Sequence, residues 1–124
     1  MSSAFLTDYV ELHAHSNFSL LDGASTPAAL IQRAAALGMT SIALTDHDAL
    51  YGAVEFFKAA QEMKIKPIFG AELTLDGGHH LTLLVEDAAG WANLCALITA
   101  GRHNADKGES LLKPELFDRH AGGL

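Results

Sequence analysis

Positive charge is scarce in this chain. Eight Lys and Arg residues stand against 15 Asp and Glu, for a formal net charge of −7. A surface of that sign repels phosphate backbones at long range, which disfavours a stand-alone nucleic-acid-binding module. Cysteine is almost missing: Cys95 is the single one. No internal disulfide framework can form, which suits a cytoplasmic protein. No apolar run reaches the ~20 residues of a membrane-spanning helix, and the first residues, MSSAFL, carry no secretion-signal pattern. No membrane partner is expected. What is present is apolar residue, 49% of 124 positions with 19% charged, enough for a packed core in one small domain. Seven histidines are also present, and their placement proves more informative than their number.

Short apolar runs alternate with helical patterns. Tyr9 to His13 (YVELH) reads as a first strand. Ser25-Thr26-Pro27 opens a helix, with a hydroxyl cap and a proline in the first turn, where its missing N–H costs nothing. Leu30, Ile31, Ala34 and Leu37 give that helix an apolar face, and Gly38 stops it. Ser41 to Thr45 (SIALT) is a second strand, buried on both faces as in a parallel sheet. Tyr51 to Met63 is a second helix, with Val54, Phe57 and Ala60 on one side. Ile68 to Leu75 is a third strand, and Asp76-Gly77-Gly78 marks a turn into a returning strand, His80 to Val85. Ala88 to Thr99 is a third helix with Trp91, Leu94, Cys95 and Ile98 toward the core. A polar loop, Gly101 to Lys113, and a short helix, Pro114 to His120, complete the order. Strands alternating with helices imply an α/β fold with a mainly parallel sheet and one hairpin.

In parallel α/β folds, ligands bind where strands end at their C-terminal edge. Three polar clusters fall there. His13-Ala14-His15 ends the first strand, and residues two apart share a face. Thr45-Asp46-His47-Asp48 ends the second; Asp48 also suits a helix cap before Tyr51. Glu72 lies near the end of the third, where a carboxylate is costly to bury unless paired or coordinated. The hairpin adds a histidine to the face of Glu72. A three-residue loop puts His80 there and a two-residue loop puts His79 there, since a one-residue slip exchanges faces. Asp22, in the loop after the first strand, is either a turn residue or a further carboxylate. Four imidazoles and two carboxylates exceed the needs of one tetrahedral zinc and suit two or three divalent ions sharing a bridging carboxylate. The nitrogen and oxygen mixture fits zinc or manganese and argues against calcium. Such clusters activate water and neutralise a phosphoester under attack. No Walker loop, dinucleotide fingerprint or Ser–His–Asp arrangement competes.

These segments resemble the polymerase and histidinol phosphatase (PHP) domain, a metal-dependent phosphoesterase fold built as a distorted (β/α)7 barrel. His13-Ala14-His15 looks like its first motif, Thr45-Asp46-His47-Asp48 like its second, and Glu72 like a third metal-binding position. In more detail, YVELHAHSNFSLLDGAS, LTDHDALYGAVEFFKAAQEMKIKPIFGAEL and HLTLLVEDAAGWANLCALI resemble the N-terminal PHP domain of bacterial C-family DNA polymerases, the polymerase III alpha subunits. SNFSLLDGAS leans toward their error-prone type. The resemblance implies that His13 and His15 hold one metal, Glu72 bridges two, and Asp22 and His47 hold another. His80 matches the family's next histidine. His79, His103 and His120 match no ligand and are expected at the surface.

The family's later ligands, a further His or Cys and a closing Asp-x-His, have no counterpart in the sequence. Residues 1–124 are therefore expected to form a partial PHP domain, the N-terminal half of the barrel, with an exposed apolar edge or a packing partner on the C-terminal side. The implied partners are the remaining polymerase domains, DNA through those domains, and a separate proofreading subunit. The implied function is that of a DNA-directed DNA polymerase carrying a phosphoesterase site, with 3′–5′ exonuclease or pyrophosphate hydrolysis as its activity. Two other readings compete: a non-catalytic scaffold, and a small-molecule phosphatase of the histidinol-phosphatase kind.

Overall fold

The computed structural model describes residues 8–124. They divide into two compact units, residues 8–44 with Tyr51–Phe69, and Thr45–Leu50 with Gly70–Leu124. The described strands form one three-stranded sheet in the order β1 (Ser41–His47), β2 (Lys66–Thr74), β3 (His80–Leu84). Lys66 N–H donates to the Thr40 carbonyl near the start of β1 and β2, and Asp48 N–H to the Glu72 carbonyl near their end. The bonds advance in the same sense along both chains, so β1 and β2 are parallel. The fold is mixed α/β, as expected.

The first unit is built around α1 (Pro27–Ala36) and α2 (Ala53–Met63). The Thr26 hydroxyl accepts from Ala29 N–H at 3.1 Å, Pro27 occupies the first turn, and Gly38 takes a positive φ of 78° just past the end. Each signal is local, and each works as expected. Ile31 and Ala34 of α1, Ile42 and Leu44 of β1, and Phe56 and Ala60 of α2 close the core with Ile65. The buried face of α2 differs from expectation. Ala53, Phe56 and Ala60 turn inward, while Val54 is 66% and Phe57 44% exposed. The buried stripe 53–56–60 keeps Ala60 from the expected face and replaces Val54 and Phe57 by the residues just before them, still at helical spacing. The Phe57 ring lies tilted beside Phe69, ring centroids 6.5 Å apart. The expected strand at Tyr9 to His13 reduces to a single parallel bridge, Glu11 to Ile42, with Ala43 N–H donating to the Glu11 carbonyl at 2.8 Å. The Glu11 side chain accounts for this: its carboxylate takes His13 N–H at 3.0 Å, a donor that a longer ladder would have used.

The second unit packs the hairpin against α3 (Ala88–His103). Its core holds Ala71 and Leu73 of β2, Leu94 and Leu97 of α3, and Leu112. Asp87 caps α3 by accepting Gly90 N–H at 2.8 Å. Leu97 is fully buried and lies outside the expected face, whereas Trp91 keeps 37% of its surface exposed and Cys95 is half-buried. The expected polar loop from Gly101 is also shorter than its composition suggests. Its first three residues extend α3, and Leu112 is drawn into the core by a parallel bridge to Leu75. A 3-10 turn (Pro114–Leu116) and α4 (Phe117–His120) follow.

β2 and β3 pair antiparallel with Thr74 opposite His80 and Glu72 opposite Thr82. Leu75 N–H donates to the His79 carbonyl at 2.7 Å, so the loop is the three residues Asp76, Gly77 and Gly78. Gly77 and Gly78 both need positive φ, 88° and 81°, which glycine alone adopts without strain. Among the described residues no helix is long and apolar enough to cross a membrane.

Candidate metal centre

The second unit carries one group of side chains that could hold a metal ion, at the C-terminal ends of β1 and β2. Glu72 is buried on β2, and β1 ends in half-buried His47. The hairpin register decides the remaining position. Because Thr74 faces His80, His80 rather than His79 shares the face of Glu72. His47 Nδ1 lies 2.9 Å from Glu72 Oε2, and His80 Nδ1 lies 3.8 Å from Glu72 Oε1. The two rings meet edge-on with centroids 5.5 Å apart. One ligand atom from each residue falls within 4.8 Å of the other two. Donors around an ion at about 2.0–2.2 Å would be roughly 3–4.4 Å apart, so small side-chain movements bring this set onto an ion. The donor chemistry fits a borderline divalent metal: two imidazoles and one carboxylate, with no soft thiolate. Each oxygen of Glu72 faces a different imidazole, the disposition a bridging carboxylate requires.

The first unit carries His13, His15 and Asp22. His15 Nδ1 lies 2.7 Å from Asp22 Oδ2, and the His13 and His15 rings meet edge-on at 5.2 Å. Asp22 is the turn residue the sequence allowed, and it also contacts His15. Its N–H closes a turn onto the Ser19 carbonyl at 3.0 Å, and its carboxylate orients His15. An imidazole held through Nδ1 presents Nε2 to an ion. Gly23 makes this turn possible, since a Cβ there would lie 2.0 Å from the Ser16 carbonyl oxygen. Upstream, the Tyr9 hydroxyl donates to Glu11 at 2.7 Å. That bond holds the Glu11 carboxyl below the usual range, partly opposed by burial, and pushes the Tyr9 phenol up.

Asp48 departs from its reading as a helix cap. The α2 N-cap is Gly52 and has no side-chain cap bond. Asp48 instead accepts Thr74 N–H and the Thr74 hydroxyl, each at 2.7 Å, and its carbonyl accepts Arg102 Nε at 3.1 Å. Sequence reasoning missed Thr74 and Arg102 altogether. The hairpin register could have pointed to Thr74; nothing local marks Arg102. Asp46 is buried and lies outside the ligand cluster. His79 and His103 are exposed as expected, but His120 is half-buried, with Nδ1 3.4 Å from Asn93 Oδ1.

The sequence pattern of the PHP domain matches residues 11–124. The chain is 59% identical over 92 residues to a protein of Symbiobacterium thermophilum named error-prone DNA polymerase, covering 74% of this chain and 8% of that one. It is 44% identical over 119 residues to an error-prone DNA polymerase of Pseudomonas aeruginosa, covering 96% of this chain and 12% of that one. The chain thus spans about a tenth of the length of these relatives. Among solved structures, it is similar to an amidohydrolase from Chromobacterium violaceum with bound sulfate and no metal (TM-score 0.60, 35% identity, 76% of this chain and 33% of that one). It is also similar to a protein from Bifidobacterium adolescentis described as a metal-dependent phosphoesterase (TM-score 0.59, 26% identity, the same coverage).

Proposed function

From the premise that the chain belongs to the PHP domain family, we propose that it supplies metal ligands for phosphoester hydrolysis within a DNA polymerase of the error-prone type. The names of its relatives support the polymerase context, in agreement with the lean of SNFSLLDGAS. The observation that carries the chemistry is the buried carboxylate of Glu72 set between His47 and His80.

His13, His15, Asp22, His47, Glu72 and His80 are proposed to hold two or three divalent ions, zinc or manganese. When bound, these ions would supply Lewis acidity to a phosphoester and offset the negative charge that builds up under attack. The side chains have separable roles. With ions bound, Glu72 would serve as the shared carboxylate. Asp22 fixes the ring of His15, and Glu72 does the same for His47. The burial of Glu72 lowers the local dielectric and strengthens each of these contacts. The remaining polymerase domains and DNA bound through them are the proposed partners, with a separate proofreading subunit as a further one. Residues 1–124 form part of the PHP barrel in this reading.

The substrate is proposed to be a DNA 3′ end, with pyrophosphate the second candidate. The test compares hydrolysis of a 3′-mismatched primer, pyrophosphate and a small phosphomonoester by the full-length protein, together with its metal content by elemental analysis. His13→Ala should lower hydrolysis at least tenfold. A full-length protein that carries no metal refutes the proposal. Unchanged hydrolysis with reduced polymerase stability in His13→Ala favours the scaffold reading, and preference for the phosphomonoester favours a small-molecule phosphatase.

A further inference from the structure

Asp48 makes four backbone and side-chain hydrogen bonds around the ligand cluster without belonging to it. Its N–H donates to the Glu72 carbonyl at 3.0 Å. One carboxylate oxygen takes Thr74 N–H and the other the Thr74 hydroxyl. Its own carbonyl is held by Arg102 Nε, from the last turn of α3. Thr74 in turn is the residue paired with His80 across the hairpin. Asp48 therefore grips the strand at Glu72 and again at the position that seats His80, while His47 precedes it in the chain. It does so from a left-handed backbone conformation, φ 47°, while buried. A non-glycine residue stays in that region only where its surroundings over-determine it, and these bonds do so.

We propose that Asp48 is a positioning residue for the metal centre, setting Glu72 and His80 at their separation without touching the ion. The proposal rests on the metal-centre reading above. Both of its carboxylate oxygens are already engaged by Thr74, so its action is through the strand. Outer partners that orient ligands typically change metal affinity 10–100-fold when removed.

The test is Zn²⁺ titration by calorimetry on the full chain, with far-UV circular dichroism as the check on folding. Asp48→Ala should bind Zn²⁺ about 10–100-fold more weakly. Asp48→Asn should stay within about threefold of the parent, because an amide can accept Thr74 N–H, donate to the Thr74 hydroxyl and tolerate the left-handed backbone. If Asp48→Asn is as weak as Asp48→Ala, the charge itself is needed at the ion and the proposal falls. Affinity within twofold of the parent in a folded Asp48→Ala also overturns it. Should Asp48→Ala not fold, Thr74→Val removes only the hydroxyl donor; weakening of a few-fold supports the proposal and unchanged affinity counts against it. A parent chain that binds no Zn²⁺ defeats the metal-centre reading instead. Positioning is then judged by the ring resonances of His47 and His80: sharp in the parent and Asp48→Asn but broadened in Asp48→Ala supports it, and identical spectra in all three overturn it.

Discussion

Gly70 gives the sharpest test of how the ligand-bearing hairpin is packed. It lies on β2 opposite Leu84, two residues before Glu72. A Cβ at Gly70 would lie 2.4 Å from the Leu83 carbonyl oxygen, 2.9 Å from Leu84 Cδ2 and 3.2 Å from Thr45 Cγ2. A carbon–oxygen contact normally needs about 3.3–3.6 Å, so the closest approach is short by roughly 1 Å. The obstructing atom is backbone in the paired strand, which no rotamer change can move. Gly70→Ala must push β3 away from β2 or bend β2. Overpacking of this kind costs about 1–3 kcal/mol, and a backbone obstacle places it in the upper half of that range. For a chain of this size the melting temperature should fall by roughly 5–12 °C, read by far-UV circular dichroism. Two controls isolate the cause. Gly78→Ala meets no atom within 4 Å and carries only the strain of φ 81°, about 1–2 kcal/mol. Leu84→Ala removes the second-nearest obstacle and leaves the first, so adding it to Gly70→Ala should not restore stability. Recovery in that double variant, or a Gly70→Ala melting temperature within about 1 °C of the parent, would refute the packing argument. Because Glu72, Thr74 and His80 share the same ladder, Gly70→Ala should also weaken Zn²⁺ binding.

The remaining predictions concern stability and the metal. If the ligand cluster binds an ion, saturation at about 100 times the dissociation constant adds roughly 2.7 kcal/mol of stability. EDTA should then lower the melting temperature of the metal-loaded chain, and equal melting with and without chelator contradicts the centre. Glu72→Gln keeps shape and removes the charge shared by His47 and His80, so Zn²⁺ affinity should drop at least tenfold by calorimetry; a smaller loss assigns the bridging role elsewhere. Leu97 is fully buried in the core of the second unit, and Leu97→Ala should destabilise by about 2–5 kcal/mol in urea unfolding. Thr26→Ala removes the hydroxyl that accepts Ala29 N–H and should cost about 1 kcal/mol, with an unchanged midpoint showing the cap to be idle.

What could be read from the sequence separates from what could not by the range of the interaction involved. Thr26-Pro27 and Gly38 bound α1 because capping and left-handed termination act over three or four residues. The proposed ligands stand out for a different reason: histidines and carboxylates placed where apolar strands end have few structural uses. The hairpin loop lay at the limit, since both loop lengths suit Asp76-Gly77-Gly78. Only the pairing of Thr74 with His80 selects His80 over His79 as the partner of Glu72. The face of α2 was misplaced by one residue because Val54 and Phe57 are as apolar as Ala53 and Phe56, and packing against α1 and β1 makes the choice. Leu112 was hidden in a polar segment whose single apolar pair gives no periodicity. Asp48 was the hardest case. Its partners lie 26 residues away at Thr74 and 54 away at Arg102, and neither residue type signals a site. A local cap was the only role its neighbours suggested. The proposed ligands are thus marked by residue type, whereas the groups that would hold them in place are marked only by proximity in the folded chain. For that reason the position of Glu72 relative to His47 and His80, on which the proposed chemistry rests, is a property of the β1–β2–β3 register and the Asp48 contacts rather than of the ligand motifs themselves.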